Sequence, residues 1–151
     1  MTDYPPGSGP PPRVFAETEA YERLAAGKFG TLATVKADGH PHLSTMLYTW
    51  DPDRRAILMS TTQPRVKVRH IQANPRTALH VPGPDAFSYV TAEGEAEVSA
   101  VTTSPGDEVG RALAPLYGDV DRDALFKQLV LDRRVLITMR ITKVYGMAIE
   151  F

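Results

Sequence analysis

The chain contains no cysteine. Disulfides, thiolate catalysis, cysteine-type zinc sites and iron–sulfur clusters are therefore excluded, and no side chain offers a redox couple. Any electrons this protein moves must come from a bound cofactor. Long apolar runs are also missing. None is long enough to span a bilayer, and no basic segment followed by an apolar one opens the chain, so no secretory signal is expected. An excess of one charge is absent too. Seventeen Lys and Arg against eighteen Asp and Glu leave a formal net charge of −1. That balance gives no support to a nucleic-acid or membrane-surface role. A cytoplasmic protein is expected.

What is present fits one globular domain. With 151 residues, 42 % hydrophobic and 23 % charged, such a chain buries roughly 70 % of its unfolded surface. Five of the thirteen prolines fall within Met1 to Pro12, with Gly7 and Gly9. Residues 1–13 read as a disordered or polyproline-like lead-in and residues 14–151 as the domain.

Glu17 to Ala26 places Ala20, Tyr21, Leu24 and Ala25 at helical spacing, and Gly27 suits a C-terminal cap. Strand signals then dominate. Gly30 to Lys36 runs into the hairpin turn Ala37-Asp38-Gly39, and Pro41 to Trp50 returns. Ala56 to Ser60 is a third strand. A helix from about Pro64 ends at Asn74-Pro75, because the residue before proline avoids the helical region. Arg76 to Val81 and Phe87 to Ala100 are the next strands. Ser104-Pro105-Gly106-Asp107 reads as a helix start with a capping box, followed by Val109, Leu113 and Leu116 as a buried stripe. A second helix near Asp121 carries Leu125 and Leu129. Arg134 to Tyr145 closes the set, with Val135, Ile137, Met139 and Ile141 inward. Six mostly antiparallel strands with inserted helices predict a mainly β, closed barrel rather than a parallel sheet.

The segment Ile57 to Asn74 carries the strongest chemical signal. A strand passes into Ser60, Thr61 and Thr62, and Pro64 then opens a helix. Arg65, Lys67 and Arg69 crowd that helix's first turns, where the dipole disfavours cations. Hydroxyls, helix-start N–H groups and cations together make a phosphate seat. The strand Pro41 to Trp50 is the second unusual element. His42, Ser44, Met46, Tyr48 and Trp50 share one face, and Leu43, Thr45, Leu47 and Thr49 the other. Neither face reads as solvated, so one is expected to meet a ligand or another subunit. His40 and His42 lack a third ligand, and no metal site is expected. No Gly-x-Ser-x-Gly elbow supports a catalytic triad. Glu93, Glu95 and Glu97 read as a solvated strand face. Tyr48 and His42 are candidate proton donors.

These segments resemble the split-barrel flavin- and deazaflavin-binding superfamily typified by pyridoxamine 5′-phosphate oxidase. The likeness runs from about Glu17 to Gly146. It rests on Gly30-Thr31-Leu32-Ala33-Thr34 with Asp38-Gly39-His40-Pro41, on His42-Leu43-Ser44-Thr45-Met46, on Ser60 through Lys67, on Ser88 through Gly94, and on Asp132 to Ile137 with Val144-Tyr145-Gly146. The short chain and the Pro-Arg-x-Lys-x-Arg pattern look most like the actinobacterial branch that uses the deazaflavin coenzyme F420. The resemblance implies a six-stranded antiparallel split barrel of Greek-key type with peripheral helices, assembled as a homodimer. Arg65 and Lys67 would hold the phosphate, beside Pro64 and helped by Ser60, Thr61 and Thr62. Ser44, Thr45 and Met46 would lie along the deazaflavin ring. A partner subunit would close the site, with Ser88 and Tyr89, beside Phe87, as candidates for that role. The implied activity is hydride transfer from reduced F420 to a small conjugated or quinone-like acceptor. The alternatives are an FMN-dependent oxidase or reductase of the same fold and a non-catalytic F420 carrier. The chain lacks the substrate-binding C-terminal extension of true pyridoxamine phosphate oxidases, so pyridoxamine oxidation is not expected.

Overall fold

The structure, a computed structural model, describes residues 4–150. Residues 1–3 of the expected lead-in lie outside the described residues. Helix α1 spans Glu17–Ala26 and buries Ala20 and Leu24, with Glu17 and Glu19 at its positive end. The Gly27 N–H closes the helix onto the carbonyls of Arg23 and Leu24. Its φ of −73° is open to any residue. Glycine is required here for space, because a Cβ would run into the Tyr48 hydroxyl.

Eight strands form one antiparallel sheet. They are β1 (Pro12–Val14), β2 (Phe29–Val35), β3 (Pro41–Leu47), β4 (Thr49–Asp51), β5 (Ala56–Thr62), β6 (Arg76–Pro82), β7 (Ser88–Val98) and β8 (Arg134–Ile149). Their order is β3-β2-β6-β7-β8-β5-β4, and β1 pairs with the last residues of β8.

The count differs from the expected six in two places. Pro12 and Arg13 belong to β1. The expected strand Pro41 to Trp50 breaks at Tyr48. There the backbone N–H donates to the Lys28 carbonyl at 3.0 Å, and the phenol donates to the Leu24 carbonyl at 2.5 Å. The first bond continues the β2–β3 register one step beyond Phe29 and Leu47, and the second ties the side chain to α1, so β3 ends here and does not run on into β4. β3 and β4 therefore stand at opposite ends of the strand order although one residue separates them. The sheet must curl to satisfy both positions. Its hydrogen bonding does not run through the seam, so the expected full closure is replaced by a curled half-barrel. β3 keeps one edge that no strand pairs among the described residues.

The interior is filled from every main strand: Leu32, Ile57, Met59, Leu79, Ile137 and Met139 are fully buried. Helix α2 (Val66–Ala73) links β5 to β6 and turns Val68 and Ile71 inward. A second, smaller cluster lies outside the barrel. Helix α3 (Glu108–Leu113), a 3-10 turn (Ala114–Tyr117) and helix α4 (Arg122–Leu131) pack Leu113 and Leu129 against Leu136, with Leu58 and Tyr117 beside them. β5 is thus covered on both faces, which suits its nearly continuous apolar run Ala56 to Met59.

The helical insertion is fastened at its entry by Asp107. The expected cap at Ser104 is one turn too early, and Asp107 is the N-cap. Its carboxylate accepts from Gly110 N, Thr102 Oγ1, Thr103 N and Ser104 N at 2.7–3.2 Å. Burial alone would raise its pKa, but these four donors together outweigh that and hold it well below the usual carboxylate range. A depressed carboxylate stabilises the fold fully above its unfolded value near about 4, and the contribution drains away as pH falls toward the folded value. Asp107→Ala is expected to cost about 1–2 kcal/mol at pH 7 in urea unfolding. The gap to wild type should narrow as pH drops below about 4; a gap constant down to pH 2 would refute the assignment.

Candidate functional site

Helix α2 begins without help from its own side chains. Arg65 is its N-cap, makes no capping hydrogen bond, and no acidic residue lies in the first turn. The turn before it is held by Arg65 N to the Thr62 carbonyl at 3.1 Å and by Gln63 N to the Arg133 carbonyl at 2.9 Å. Arg65 and Arg69 are exposed and Lys67 is half-buried. Among the described residues, none of these three has a carboxylate within ion-pair distance, and neither has Arg133. Burial first, and the charge of Arg65 second, pull the Lys67 ammonium below the usual lysine range. Cations at a helix start cost about 0.3–1 kcal/mol each, and an anion placed there reverses the sign. Arg133, next to the loop through its backbone, was not singled out in the sequence. It lies 68 positions beyond Arg65, and only the β5–β8 pairing brings the two segments together.

The three hydroxyls before the helix do not act as one group. Alternation along β5 buries Thr61 and turns Ser60 and Thr62 to the other face. Ser60 Oγ lies 2.7 Å from the Tyr117 hydroxyl of the 3-10 turn. Tyr117 was invisible from the sequence, being 57 positions away on an unassigned stretch. Pro64 is exposed in the turn itself.

On β3, Met46 is a core residue, Thr45 is exposed on the outer face, and Ser44 is half-buried on the inner one. The Ser44 Oγ is buried with no hydrogen-bond partner among the described residues. Two residues along the same face, the His42 ring packs edge-on against His70 of α2 at 5.1 Å between centroids. His70 lies one turn beyond Lys67, and its Nδ1 is 2.9 Å from Thr34 Oγ1. Burial, then His42, Arg69 and Lys36, lower the pKa of His70. The inner face of β3 and helix α2 thus border one region, which holds an orphaned hydroxyl and uncompensated cations. Tyr48 is not available as a proton donor. Its phenol is buried, bonded to the Leu24 carbonyl, and pushed up to about 12 by desolvation.

Ser88 and Tyr89 begin β7, whereas α2 ends beside Glu95 and Ala96 of the same strand. Thr62, where β5 leads into α2, pairs with Arg134, whereas Tyr89 pairs with Met147, about 40 Å further along β8, so one chain does not bring Ser88 and Tyr89 to the helix start. Tyr89 instead stacks on His80 at 5.0 Å on the outer face. That face is bare. Phe29 is 53 % exposed, Leu43 61 % and Leu47 75 %, and registered pairing places Leu47 opposite Phe29 and Leu43 opposite Ala33. The glutamate stripe is solvated at Glu95 and Glu97, which are exposed, while Glu93 is half-buried. Glu97 lies 3.6 Å from Arg140, while Glu93 and Glu95 join Arg76 and Thr142 in the wall of a cavity of about 420 Å³.

A curled antiparallel half-barrel with peripheral helices is the architecture of the split-barrel flavin- and deazaflavin-binding class. The chain belongs to the pyridoxamine 5′-phosphate oxidase family, whose model matches residues 16–148, and this is a family of flavin-dependent oxidoreductases. A pyridoxine/pyridoxamine 5′-phosphate oxidase of Pseudomonas paraeruginosa is 42 % identical over 67 residues, covering 44 % of this chain and 31 % of that one. The match thus spans about a third of that relative. A solved F420 reductase is 27 % identical with a TM-score of 0.61, over 82 % of this chain and 93 % of that one. A FAD-binding protein of Mesorhizobium loti is 22 % identical with a TM-score of 0.67, over 95 % of this chain and all of the other. A conserved hypothetical protein of Mycobacterium tuberculosis is 22 % identical with a TM-score of 0.69, over 89 % and 85 % of the two chains. No helix among the described residues is long and apolar enough to cross a membrane.

The residues present fit a phosphate-bearing cofactor: unpaired cations and an uncapped helix start stand together at the head of α2. Lys67→Ala is expected to weaken binding of a phosphate-bearing flavin or deazaflavin by roughly 1–3 kcal/mol in a fluorescence titration. An unchanged dissociation constant would remove Lys67 from the seat.

Proposed function

We propose that this chain is a coenzyme F420-dependent reductase, acting in the cytoplasm as a homodimer on a small conjugated or quinone-like acceptor. The observation that carries the reading is the start of α2, where Arg65 and Lys67 stand beside an uncapped helix end without carboxylate partners. Those two residues would hold the cofactor's phosphate. Ser44 Oγ and the unpaired backbone edge of β3 would meet its ring. When bound, reduced F420 supplies a hydride, two electrons and a proton nucleus together, and solvent supplies the further proton that completes reduction of the acceptor. The chain's own part is to orient the ring, hold the phosphate and exclude water. Exposed Arg69 and Arg133 extend the positive region beyond Lys67. That extension favours F420, whose tail adds a lactyl-oligoglutamate chain to the phosphate, and the likeness to a protein named F420 reductase agrees with it. The second reading is FMN as cofactor, supported by the likeness to a pyridoxamine phosphate oxidase. Fluorescence titration of the apo-protein with F420 and with FMN tests the choice. Micromolar or tighter F420 binding with much weaker FMN binding is expected, preference for FMN moves the assignment to the second reading, and binding of neither refutes both.

The homodimer rests on the bare outer face. Phe29, Leu43 and Leu47 are exposed apolar side chains there, with Thr45 between the two leucines, and exposed apolar clusters mark interfaces. A second copy covering it would bring the partner's Tyr89 toward the site. Leu43→Glu with Leu47→Glu is expected to convert a dimer of about twice 16.6 kDa to a monomer in sedimentation analysis and to abolish cofactor binding. A wild-type monomer would sink the idea.

A further inference from the structure

We propose that Tyr117 is a positioning residue of the anion seat, its hydroxyl holding Ser60 so that the Ser60 proton is presented to the bound phosphate. The inference rests on the reading of the α2 start as that seat. It assigns a role to the helical insertion between β7 and β8, which otherwise only packs against the barrel.

The geometry begins with the alternation of β5. Thr61 points into the core, so its neighbour Ser60 points toward the insertion, where Tyr117 meets it at 2.7 Å. Two hydroxyls own two protons. One is used between them and one stays free. Ser60 stands five residues before the N-cap Arg65, and a lone hydroxyl there would have no preferred direction for its proton. With Tyr117 donating into one lone pair, the Ser60 proton is left to donate outward, in the sense an anion needs. The chain from Tyr117 to Ser60 to ligand is also cooperative, since each bond polarises the next.

Tyr117 holds its place without a ligand. Its ring packs with the cluster of Leu113, Leu129 and Leu136, outside the barrel. Gly118 ends the 3-10 turn at φ 70°, in the region that favours glycine. Leu136 pairs with Ser60 across the β5–β8 ladder, so the strand that carries the serine is registered to a residue the insertion packs upon. The hydroxyl pair is preorganised, and little freedom is lost when an anion arrives.

The test uses the full chain. Tyr117→Phe keeps the ring and removes one oxygen. Dissociation constants for FMN and F420 are measured by fluorescence, with phosphate-free riboflavin as the control, for wild type, Tyr117→Phe, Ser60→Ala and the double variant. The expected result is a weakening of about three- to tenfold for the phosphate-bearing ligands in Tyr117→Phe. Riboflavin affinity and melting temperature should not change, and Tyr117→Phe should add nothing in the Ser60→Ala background. Wild-type affinity in Tyr117→Phe, equal weakening of riboflavin, or additive effects in the double variant would each overturn the proposal. Lys67→Ala separates the two levels. If it weakens the phosphate-bearing ligands while Tyr117→Phe does not, the seat stands and the role of Tyr117 falls; if neither does, both fall.

Discussion

Everything in this fold depends on how one residue is held. Tyr48 separates the two strands that terminate the sheet, and it is fixed through its backbone N–H, its phenol and the absence of a side chain at Gly27. Because β3 and β4 are one residue apart, the sheet cannot stay open. Because the Tyr48 side chain is tied to the last turn of α1 and its backbone to Lys28, β3 ends there and does not run on into β4. A half-barrel results in which, among the described residues, no strand pairs the outer edge of β4 or the free edge of β3. That free edge gives the proposed site its backbone wall, so the anchoring of Tyr48 beneath α1 is felt on the inner face of β3.

The helices divide into three whose first turn carries a carboxylate and one, α2, whose first turn carries none. α1 opens with two glutamates, α3 with the four-donor carboxylate of Asp107, and α4 with Asp121 accepting from Asp123 N. These follow the ordinary physics of helix starts. α2 departs from it, with cations where the others have carboxylates. A chain that puts carboxylates at three helix starts and cations at the fourth leaves that fourth start open to a bound anion.

Local features were legible and non-local ones were not. α1 runs over Glu17–Ala26 as its spacing predicts, and Val135, Ile137, Met139 and Ile141 are buried as alternation requires. The break at Tyr48 could not be read, because nothing in Leu47-Tyr48-Thr49 signals it; the cause is a carbonyl 24 positions earlier. The cap was misplaced to Ser104 because the pattern there satisfies the rule, while Asp107 collects more donors once the loop folds back on it. The basic start of α2 was visible as a clash between charge and dipole. The hydroxyls before it were read as a cluster, and strand alternation separates them. Arg133 and Tyr117 needed the β5–β8 pairing and the packed insertion, neither of which leaves a mark in nearby sequence.

The start of α2 also bears on how the molecule survives in a cell. It is a patch of local frustration, in which electrostatics opposes the folded state that the rest of the chain favours. A ligand that binds only the native form adds stability of RT ln(1 + [L]/Kd), about 2.7 kcal/mol when its free concentration is a hundred times Kd. For a domain of ordinary marginal stability that is a large share of the total. The frustrated helix start would then couple abundance to cofactor supply. Chains without an anion at α2 would open more often and be cleared sooner, so the pool of folded protein would follow the pool of its ligand without any dedicated regulator.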